Sequence, residues 1–288
     1  MKPPPFDYLV PGSVREAVSL LKQHDGEAKL IAGGQSLMPL LNMRLARPAA
    51  LIDVNRLKDL DYVREADGGL AIGAITRQRT VEKSDLVKNR LPLLHAALQY
   101  VSHPQIRNRG TFGGSLAHAD PSAECPAVAL ALDAEFRIAG PEGERKVKAG
   151  DFFLTYLTTV LEPTEMLTEV RLPLLPARTG WSVQEVSRRH GDFAMAGVIA
   201  VMTLDGSGKC SAARIVLFGV APTPIRAHAA EQVLAGAKPG EAVFEQAGKK
   251  ASGVVEEPLS DIHASGEFRR HLAEVLTRRA LAEASSRA

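Results

Sequence analysis

Two glycine pairs constrain the fold of this 288-residue chain more than any other feature of its sequence. The first pair, Gly33-Gly34, lies between a short apolar strand-like run at residues 29–32 and a helix-compatible run at residues 36–45. Glycines at such a junction allow positive φ and bring backbone N–H groups close to an anion near the start of the helix. A phosphate or pyrophosphate would fit there, although a plain tight turn explains the pair equally well. The spacing matches neither the Gly-x-Gly-x-x-Gly fingerprint nor a Walker loop, which disfavours a plain Rossmann fold.

The second pair, Gly113-Gly114, lies in residues 109–121, where small hydroxyl residues accompany the glycines. We predict a second glycine turn at residues 111–115. Two such loops can clamp the phosphates and the remaining length of one extended cofactor, and two are harder to explain by chance than one.

Composition excludes several classes of partner and chemistry. Lys plus Arg number 35 against 33 Asp plus Glu, without long single-sign blocks, so nucleic acid and membrane surfaces are not expected partners. The first residues lack the apolar core of a signal peptide and the longest apolar runs are too short to span a bilayer, so we expect a cytoplasmic protein without membrane insertion. Two cysteines are too few for a disulfide framework or an iron–sulfur cluster, and we assign no metal ligand and no catalytic residue.

The periodicity of apolar residues predicts a mixed fold of the α+β class. Helices and strands intermingle up to a cluster of breakers at Pro173, Pro176 and Gly180. Three strands and several helices follow the cluster. We therefore expect two domains, residues 1–177 and 178–288, with the first subdivided near residue 56.

Five segments form a distinctive set along the chain: residues 32–39 (AGGQSLMP), 72–74 (IGA), 106–115 (IRNRGTFGGS), 119–121 (ADP) and 191–194 (GDFA). The first and third of them together are highly specific. In this order the segments resemble the FAD-binding, or medium, subunits of the molybdenum hydroxylases, a family that includes carbon monoxide dehydrogenase and xanthine dehydrogenase.

This resemblance implies a fold, a function and partners. The fold is a two-part FAD-binding domain of the vanillyl-alcohol-oxidase (PCMH) type, followed by an antiparallel-sheet-plus-helices domain of the CO dehydrogenase flavoprotein type. The function is that of an oxidoreductase subunit whose FAD receives electrons from iron–sulfur clusters and passes them to an external acceptor. The 2Fe–2S clusters and the molybdenum cofactor are expected on a small and a large partner subunit, in a dimer of heterotrimers. The substrate and the terminal acceptor are not encoded in this chain.

The resemblance also assigns contacts to FAD. Residues 32–37 would bind the pyrophosphate, residues 111–115 would line the middle of FAD through backbone N–H groups, and Glu124 would lie near the adenosine side. Leu167 and Asp192 would contact the cofactor elsewhere. The complete set is Ala32, Gly33, Gly34, Gln35, Ser36, Leu37, Thr111, Phe112, Gly113, Gly114, Ser115, Glu124, Leu167 and Asp192.

Some assignments remain open at this level. Asp192 is placed beside the isoalloxazine or, equally well, in an exposed turn, and Arg107 and Arg109 pair either with a phosphate or partner subunit or simply with solvent. Relatives commonly have a lysine where this chain has Gln184-Glu185, which leaves the flavin environment in doubt.

Four further residues are not expected to take part in chemistry. The sequence favours structural roles for Cys125 and Trp181, and flavin electron transfer needs no acid or base from His103 or His118.

Two other functions remain possible from the sequence. One is a free-standing flavin oxidoreductase that binds its own substrate in the second domain. The other is a flavin-free scaffold subunit, against which the intact glycines argue.

Overall fold

A small three-stranded parallel sheet opens the chain in the computed structural model, which describes residues 2–288. Its elements are β1 (Asp7–Leu9), α1 (Val14–Gln23), β2 (Ala28–Ile31), α2 (Leu37–Asn42) and β3 (Ala50–Asp53). Strand β3 lies between β1 and β2, so β2 and β3 end side by side at the same edge. Helix α1 begins after Ser13, whose hydroxyl accepts the N–H of Glu16.

A five-stranded antiparallel sheet with order β4-β5-β10-β6-β7 forms the second unit. Two short 3-10 turns, Val54–Arg56 and Lys58–Leu60, lead into it. Its elements are β4 (Val63–Ala66), β5 (Gly69–Gly73), α3 (Gln78–Lys83), α4 (Asp85–Arg90), α5 (Pro92–Leu98), α6 (Pro104–Arg107), α7 (Phe112–His118), α8 (Glu124–Ala131), β6 (Glu135–Gly140), β7 (Gly143–Lys148), α9 (Ala149–Phe152), β8 (Phe153–Thr155), β9 (Thr158–Thr159) and β10 (Met166–Pro173). Every residue of α8 is buried, and all of them except Glu124 are apolar, as is typical of a helix packed on all sides.

A four-stranded antiparallel sheet, ordered β11-β12-β13-β14, and three helices complete the chain. The elements are β11 (Thr179–Val186), β12 (Ala196–Leu204), β13 (Cys210–Phe218), β14 (Ile225–Arg226), α10 (His228–Leu234), α11 (Glu241–Gly253) and α12 (Gly266–Ser286). One face of the sheet packs on the three helices, whereas the other, with Val183 and Ile199, joins the core of the second unit. This arrangement confirms the predicted α+β class and the antiparallel-sheet-plus-helices design of the C-terminal part.

The predicted second glycine turn is wrong. Phe112 begins helix α7, and the preceding Thr111 caps the helix by accepting the N–H of Gly114 at 3.0 Å. Glycine has a poor helix propensity, but Gly113 here packs directly on Ala74 and the cap compensates at the first turn.

Ser84 divides the helical residues 78–90, because it ends α3 and caps α4. None of the helices within residues 2–288 has the length and apolar character needed to cross a membrane.

Candidate cofactor site

The two glycine-rich segments touch each other. A Cβ atom on Gly33 would lie 2.5 Å from the carbonyl oxygen of Arg109 and 2.7 Å from Cα of Gly110. Glycine at position 33 is therefore required by close approach to the second segment. From the sequence, a glycine was expected at this position to let a ligand approach the backbone. In the structure it is the backbone of the second segment that approaches.

A cleft of about 450 Å³ opens where the first segment meets the end of β3 and helix α6. Four of the predicted cofactor residues, Ala32 to Gln35, line it. The other lining residues are Tyr8, Ile31, Met38, Pro39, Asp53, Asn55, Ile106 and Arg109. The cleft lies beside the carboxyl ends of the adjacent parallel strands β2 and β3, a usual place for ligands in such sheets.

The first segment presents free backbone donors. The N–H groups of residues 33–37 meet no hydrogen-bond acceptor elsewhere in residues 2–288, whereas several carbonyls of the same segment are occupied. Gly34 O accepts the N–H of Met38 at 3.0 Å, and Gly33 O accepts the side-chain amide of Gln35 at 2.9 Å. A positive φ of 70° at Gly34 turns the backbone at this point. Consecutive unpaired N–H groups next to a helix start are suited to an anion.

A positive charge accompanies these donors. Arg109 lines the cleft, and its guanidinium forms no ion pair with any residue of the described chain. Arg77 does not line the cleft, but its guanidinium donates hydrogen bonds to Asn55 Oδ1 at 2.6 Å and to the Arg109 carbonyl. Burial lowers the pKa of Arg77, and the nearby Arg109 lowers it further. Two neighbouring cations of this kind favour a ligand with more than one negative charge.

Asp53 and Asn55 belong to the site although the sequence had not indicated them. Asn55 Nδ2 donates to the carbonyl of Ala32 at 2.8 Å, which fixes the start of the first segment. Burial would raise the pKa of Asp53, but hydrogen bonds from Tyr8 and Asn55 outweigh burial, and the pKa lies below its ordinary value. The available signal was the position of both residues at the carboxyl end of β3, where Asp53 is the last residue of the strand and Asn55 follows two positions later.

The backbone N–H groups of the second segment are not free to bind a ligand. The N–H groups of residues 112–115 are bonded within the protein, those of Phe112 and Gly113 to Thr76 O and Ala74 O at 2.9 and 3.0 Å. They are therefore not available to a cofactor, which corrects the expectation that this segment binds through its N–H groups. Phe112 and Gly113 are buried, whereas Gly114 is exposed at the surface of α7.

Glu124, Leu167 and Asp192 do not line the cleft. Glu124 begins α8 and is buried, and burial raises its pKa to about 7. Leu167 is buried in β10, whose Thr168 carbonyl accepts the N–H of Ala74 beside Gly113. Asp192 is exposed in the turn after Gly191, as the alternative interpretation expected.

Arg107 fits neither interpretation that the sequence offered for it. Its guanidinium is buried and donates to Glu82 at 2.9 Å and to the carbonyls of Val101 and Ser102. Neither solvent nor a phosphate is its partner in this structure.

Cys125 is fully buried, which raises its pKa to about 12 and confirms the structural role expected for it. Trp181 is half-buried: it packs against the hydrophobic core that the second unit shares with the C-terminal sheet, and the Arg287 guanidinium lies 4.2 Å from its ring centroid.

Comparison with known proteins identifies the family. Residues 4–175 match the family model described as the FAD binding domain in molybdopterin dehydrogenase, and residues 181–284 match the CO dehydrogenase flavoprotein C-terminal domain.

Individual relatives agree with these models over the whole length. The chain is 43% identical to 6-hydroxypseudooxynicotine dehydrogenase complex subunit alpha of Paenarthrobacter nicotinovorans, over 100% of this chain and 97% of that protein. It is 41% identical to the carbon monoxide dehydrogenase medium chain of Hydrogenophaga pseudoflava, over 100% and 99%. The solved carbon monoxide dehydrogenase of H. pseudoflava superposes with a TM-score of 0.97 over 100% of both chains, at 41% identity. The chain therefore belongs to the family of FAD-binding medium subunits of the molybdenum hydroxylases and is an oxidoreductase flavoprotein subunit.

Proposed function

We propose that this chain binds FAD with the pyrophosphate against the N–H groups of residues 33–37, and that it relays electrons from a cluster-bearing partner to an external acceptor. The observation that carries the binding proposal is the run of five unpaired N–H groups beside the unpaired cation of Arg109. Hydrogen bonds to a charged phosphate oxygen are about twice as strong as neutral ones, so this arrangement favours a pyrophosphate over a neutral ligand.

The remaining residues of the site hold this surface in shape. Arg77 and Asn55 connect the first segment to the second, and Gly33 allows the two backbones to touch. The ionised Asp53 repels phosphate and accepts hydrogen bonds from hydroxyl groups, which would orient the cofactor along the cleft.

The other predicted contacts belong to the same proposal. Gly114 and Ser115 present the open side of α7, and Asp192 extends from an exposed turn. Glu124 and Leu167 are buried, so in this proposal they would contact FAD from beneath that surface.

When bound, FAD supplies the capacity to take up single electrons and release them in pairs. The residues of this chain bind and orient it. The chain has two cysteines, and a cluster commonly takes four thiolates. We therefore place the 2Fe–2S clusters on a small partner subunit and the molybdenum cofactor on a large one, in a cytoplasmic dimer of heterotrimers. The naming of relatives as a complex subunit and as a medium chain supports an assembly.

The domain limits are part of this proposal. We take residues 1–177 as the FAD-binding domain, subdivided near residue 56, and residues 178–288 as the C-terminal domain. In support, one core cluster consists only of residues from β12 onwards, and another consists mostly of residues before Leu60.

Ligand competition tests the binding proposal on the full chain stripped of flavin. We expect FAD to bind, ADP to compete with it because ADP carries the pyrophosphate, and riboflavin to bind far more weakly. Replacement Arg109→Met removes charge-assisted hydrogen bonds worth about 1.5–3 kcal/mol and should weaken FAD binding roughly 10- to 100-fold. Arg15→Met makes the same change at an exposed position of α1 and should leave affinity unchanged. Equal affinity for riboflavin and FAD, or an unchanged Arg109→Met variant, would refute the assignment.

A further inference from the structure

One arginine of the C-terminal domain is buried against backbone oxygens. Arg269 lies in the first turn of α12 and exposes only 2% of its surface. Its Nη1 donates to the carbonyls of Met195 and Gly219, both at 2.5 Å, and its Nη2 donates to Asp261 Oδ2 at 2.7 Å. A buried cation is stable only where such hydrogen bonds replace its hydration. The side chain therefore holds these groups at fixed positions.

The two carbonyls lie at one end of the C-terminal sheet. Met195 directly precedes β12, and Gly219 directly follows β13, the antiparallel neighbour of β12. Gly219 has a φ of 73°, and a Cβ atom at this position would lie 2.9 Å from the carbonyl oxygen of Ala194. The two backbone segments are thus closely packed, and one nitrogen of Arg269 joins them.

The first of these segments supports the start of α6. It is the loop between β11 and β12, in which Gly191 has a φ of 89° and packs on His103. A Cβ atom on Gly191 would lie 2.7 Å from Cε1 of His103. The carbonyl of His103 accepts the N–H of Ile106 at 2.9 Å, and the carbonyl of Ile106 accepts the N–H of Arg109 at 3.0 Å. The loop that ends at Met195 therefore rests on the short turn that carries Ile106 and Arg109 into the cleft.

The other segment supports the far end of the same stretch of chain. The N–H of Gly219 donates to the carbonyl of Pro121 at 2.8 Å. Pro121 is the last residue of the second segment, residues 109–121, which contains helix α7. Both ends of residues 103–121 thus rest on backbone that Arg269 holds in place.

We propose that Arg269 is a positioning residue for FAD binding, which keeps Arg109 in place at the cleft through the carbonyls of Met195 and Gly219. Arg269 does not itself line the cleft. This role rests on the proposed binding of the FAD pyrophosphate beside Arg109. It gives the last helix of the C-terminal domain a part in cofactor binding that requires no contact with FAD.

Arg269 acts through hydrogen-bond geometry and not through its charge. Asp261 compensates the positive charge, and the other oxygen of the same carboxylate accepts the N–H groups of His263 and Ala264 at 2.8 and 3.0 Å. Both carbonyl bonds of Arg269 come from a single nitrogen, Nη1. A lysine ammonium also presents its three donors on one nitrogen, so lysine can replace these two bonds in part.

FAD titration of the full chain stripped of flavin tests this role in a double-mutant cycle. We expect Arg269→Met to raise the FAD dissociation constant about tenfold, because Arg109 loses its placement against a charged oxygen. In the Arg109→Met background the same replacement should change the constant less than about twofold, since the positioned cation is absent. Arg269→Lys should return the constant to within about threefold of the wild type. Arg279→Met makes the same change at an exposed position of α12 and should bind FAD as the wild type does.

The outcomes separate the positioning role from the proposed function. A wild-type chain that binds no FAD would refute the proposed function and this role with it. Wild-type binding together with an unchanged Arg269→Met variant, effects of Arg269→Met and Arg109→Met that multiply, or no recovery in Arg269→Lys would overturn the positioning role alone. If Arg269→Met fails to fold, Gly219→Ala decides, because its Cβ separates the same two segments. That variant should weaken FAD binding only while Arg109 is present.

Discussion

The guanidinium of Arg77 donates a hydrogen bond of 2.6 Å to the side-chain oxygen of Asn55. Asn55 in turn holds the carbonyl of Ala32, and Arg77 also donates to the carbonyl of Arg109. Through these two residues the first glycine segment, the end of β3 and the second segment form one connected surface. The geometry of the unpaired N–H groups thus depends on side chains outside both motifs.

Replacing Arg77 with lysine should separate geometry from charge. Lysine retains the positive charge but cannot present the two separate donor nitrogens that reach Asn55 and the Arg109 carbonyl. We expect FAD affinity to fall about tenfold, corresponding to one lost hydrogen bond of roughly 1.4 kcal/mol. Flavin titration of the apo-chain measures this, with Arg15→Lys as the matched control. An affinity equal to that of the wild type would show that charge alone matters at position 77.

Replacing Gly33 with alanine should separate the two segments. The new Cβ would meet Arg109 O at 2.5 Å and Gly110 Cα at 2.7 Å, both backbone atoms that cannot rotate away. We expect flavin content to fall at least tenfold and the thermal midpoint to fall by several degrees, since this is overpacking of about 1–3 kcal/mol. The absorption spectrum of the purified chain and a melting curve measure the two effects.

The control for this prediction is Gly253→Ala at the end of α11, where an added Cβ meets nothing within 4 Å. That variant should retain flavin and stability. Full flavin occupancy in Gly33→Ala would contradict the packing role assigned to this glycine.

Local patterns were sufficient to predict the elements around the first glycine pair. A serine cap and a helical period define α1, and a strand, two glycines and a helix follow in order, so neighbouring residues determine these elements. The class of fold followed in the same way from the sequence of predicted strands and helices.

Contacts between distant residues could not be predicted in this way. The glycines of α7 indicate a turn until Ala74 is seen to pack on Gly113. Gly180 appeared as a breaker at a domain boundary, whereas it lies within β11 where the backbone of α12 at Ala284 passes directly over it. The burial of Arg107 requires Glu82, which is 25 positions away in the sequence. Pairing over such distances is a tertiary property.

Glu169 should make the second unit sensitive to acid. Its buried carboxylate accepts hydrogen bonds from Tyr62, Arg64 and Arg171 and forms an ion pair with Arg137 at 3.1 Å. Burial alone would raise the pKa of Glu169, but these partners hold it at about 2. Because the folded pKa is depressed, the stabilisation is complete above the ordinary value of 4.5 and is lost as pH falls towards 2.

Glu169→Gln tests this acid sensitivity by removing the charge. We expect the free energy of unfolding to fall by about 1–3 kcal/mol at pH 7, and the difference from the wild type to shrink as pH falls from 4.5 towards 2. Urea unfolding over this pH range measures it, and the exposed Glu142→Gln should show no such effect. A difference that stays constant with pH would mean that the loss reflects packing and not charge.

Breaking the buried ion pair between Arg107 and Glu82 should cause a large fall in the free energy of unfolding. Their side chains are 7% and 5% exposed, and Arg107 also donates to the carbonyls of Val101 and Ser102. Arg107→Met leaves the Glu82 carboxylate buried with only Arg79 as a cationic partner, so we expect a loss of about 3–5 kcal/mol. Adding Glu82→Gln removes the stranded charge and should restore part of that loss, although the two carbonyls remain without their donor. Urea unfolding of the wild type, both single variants and the double variant gives the four free energies of a double-mutant cycle. If the two losses are additive, Arg107 stabilises the chain through the carbonyls of residues 101 and 102 and not through its charge.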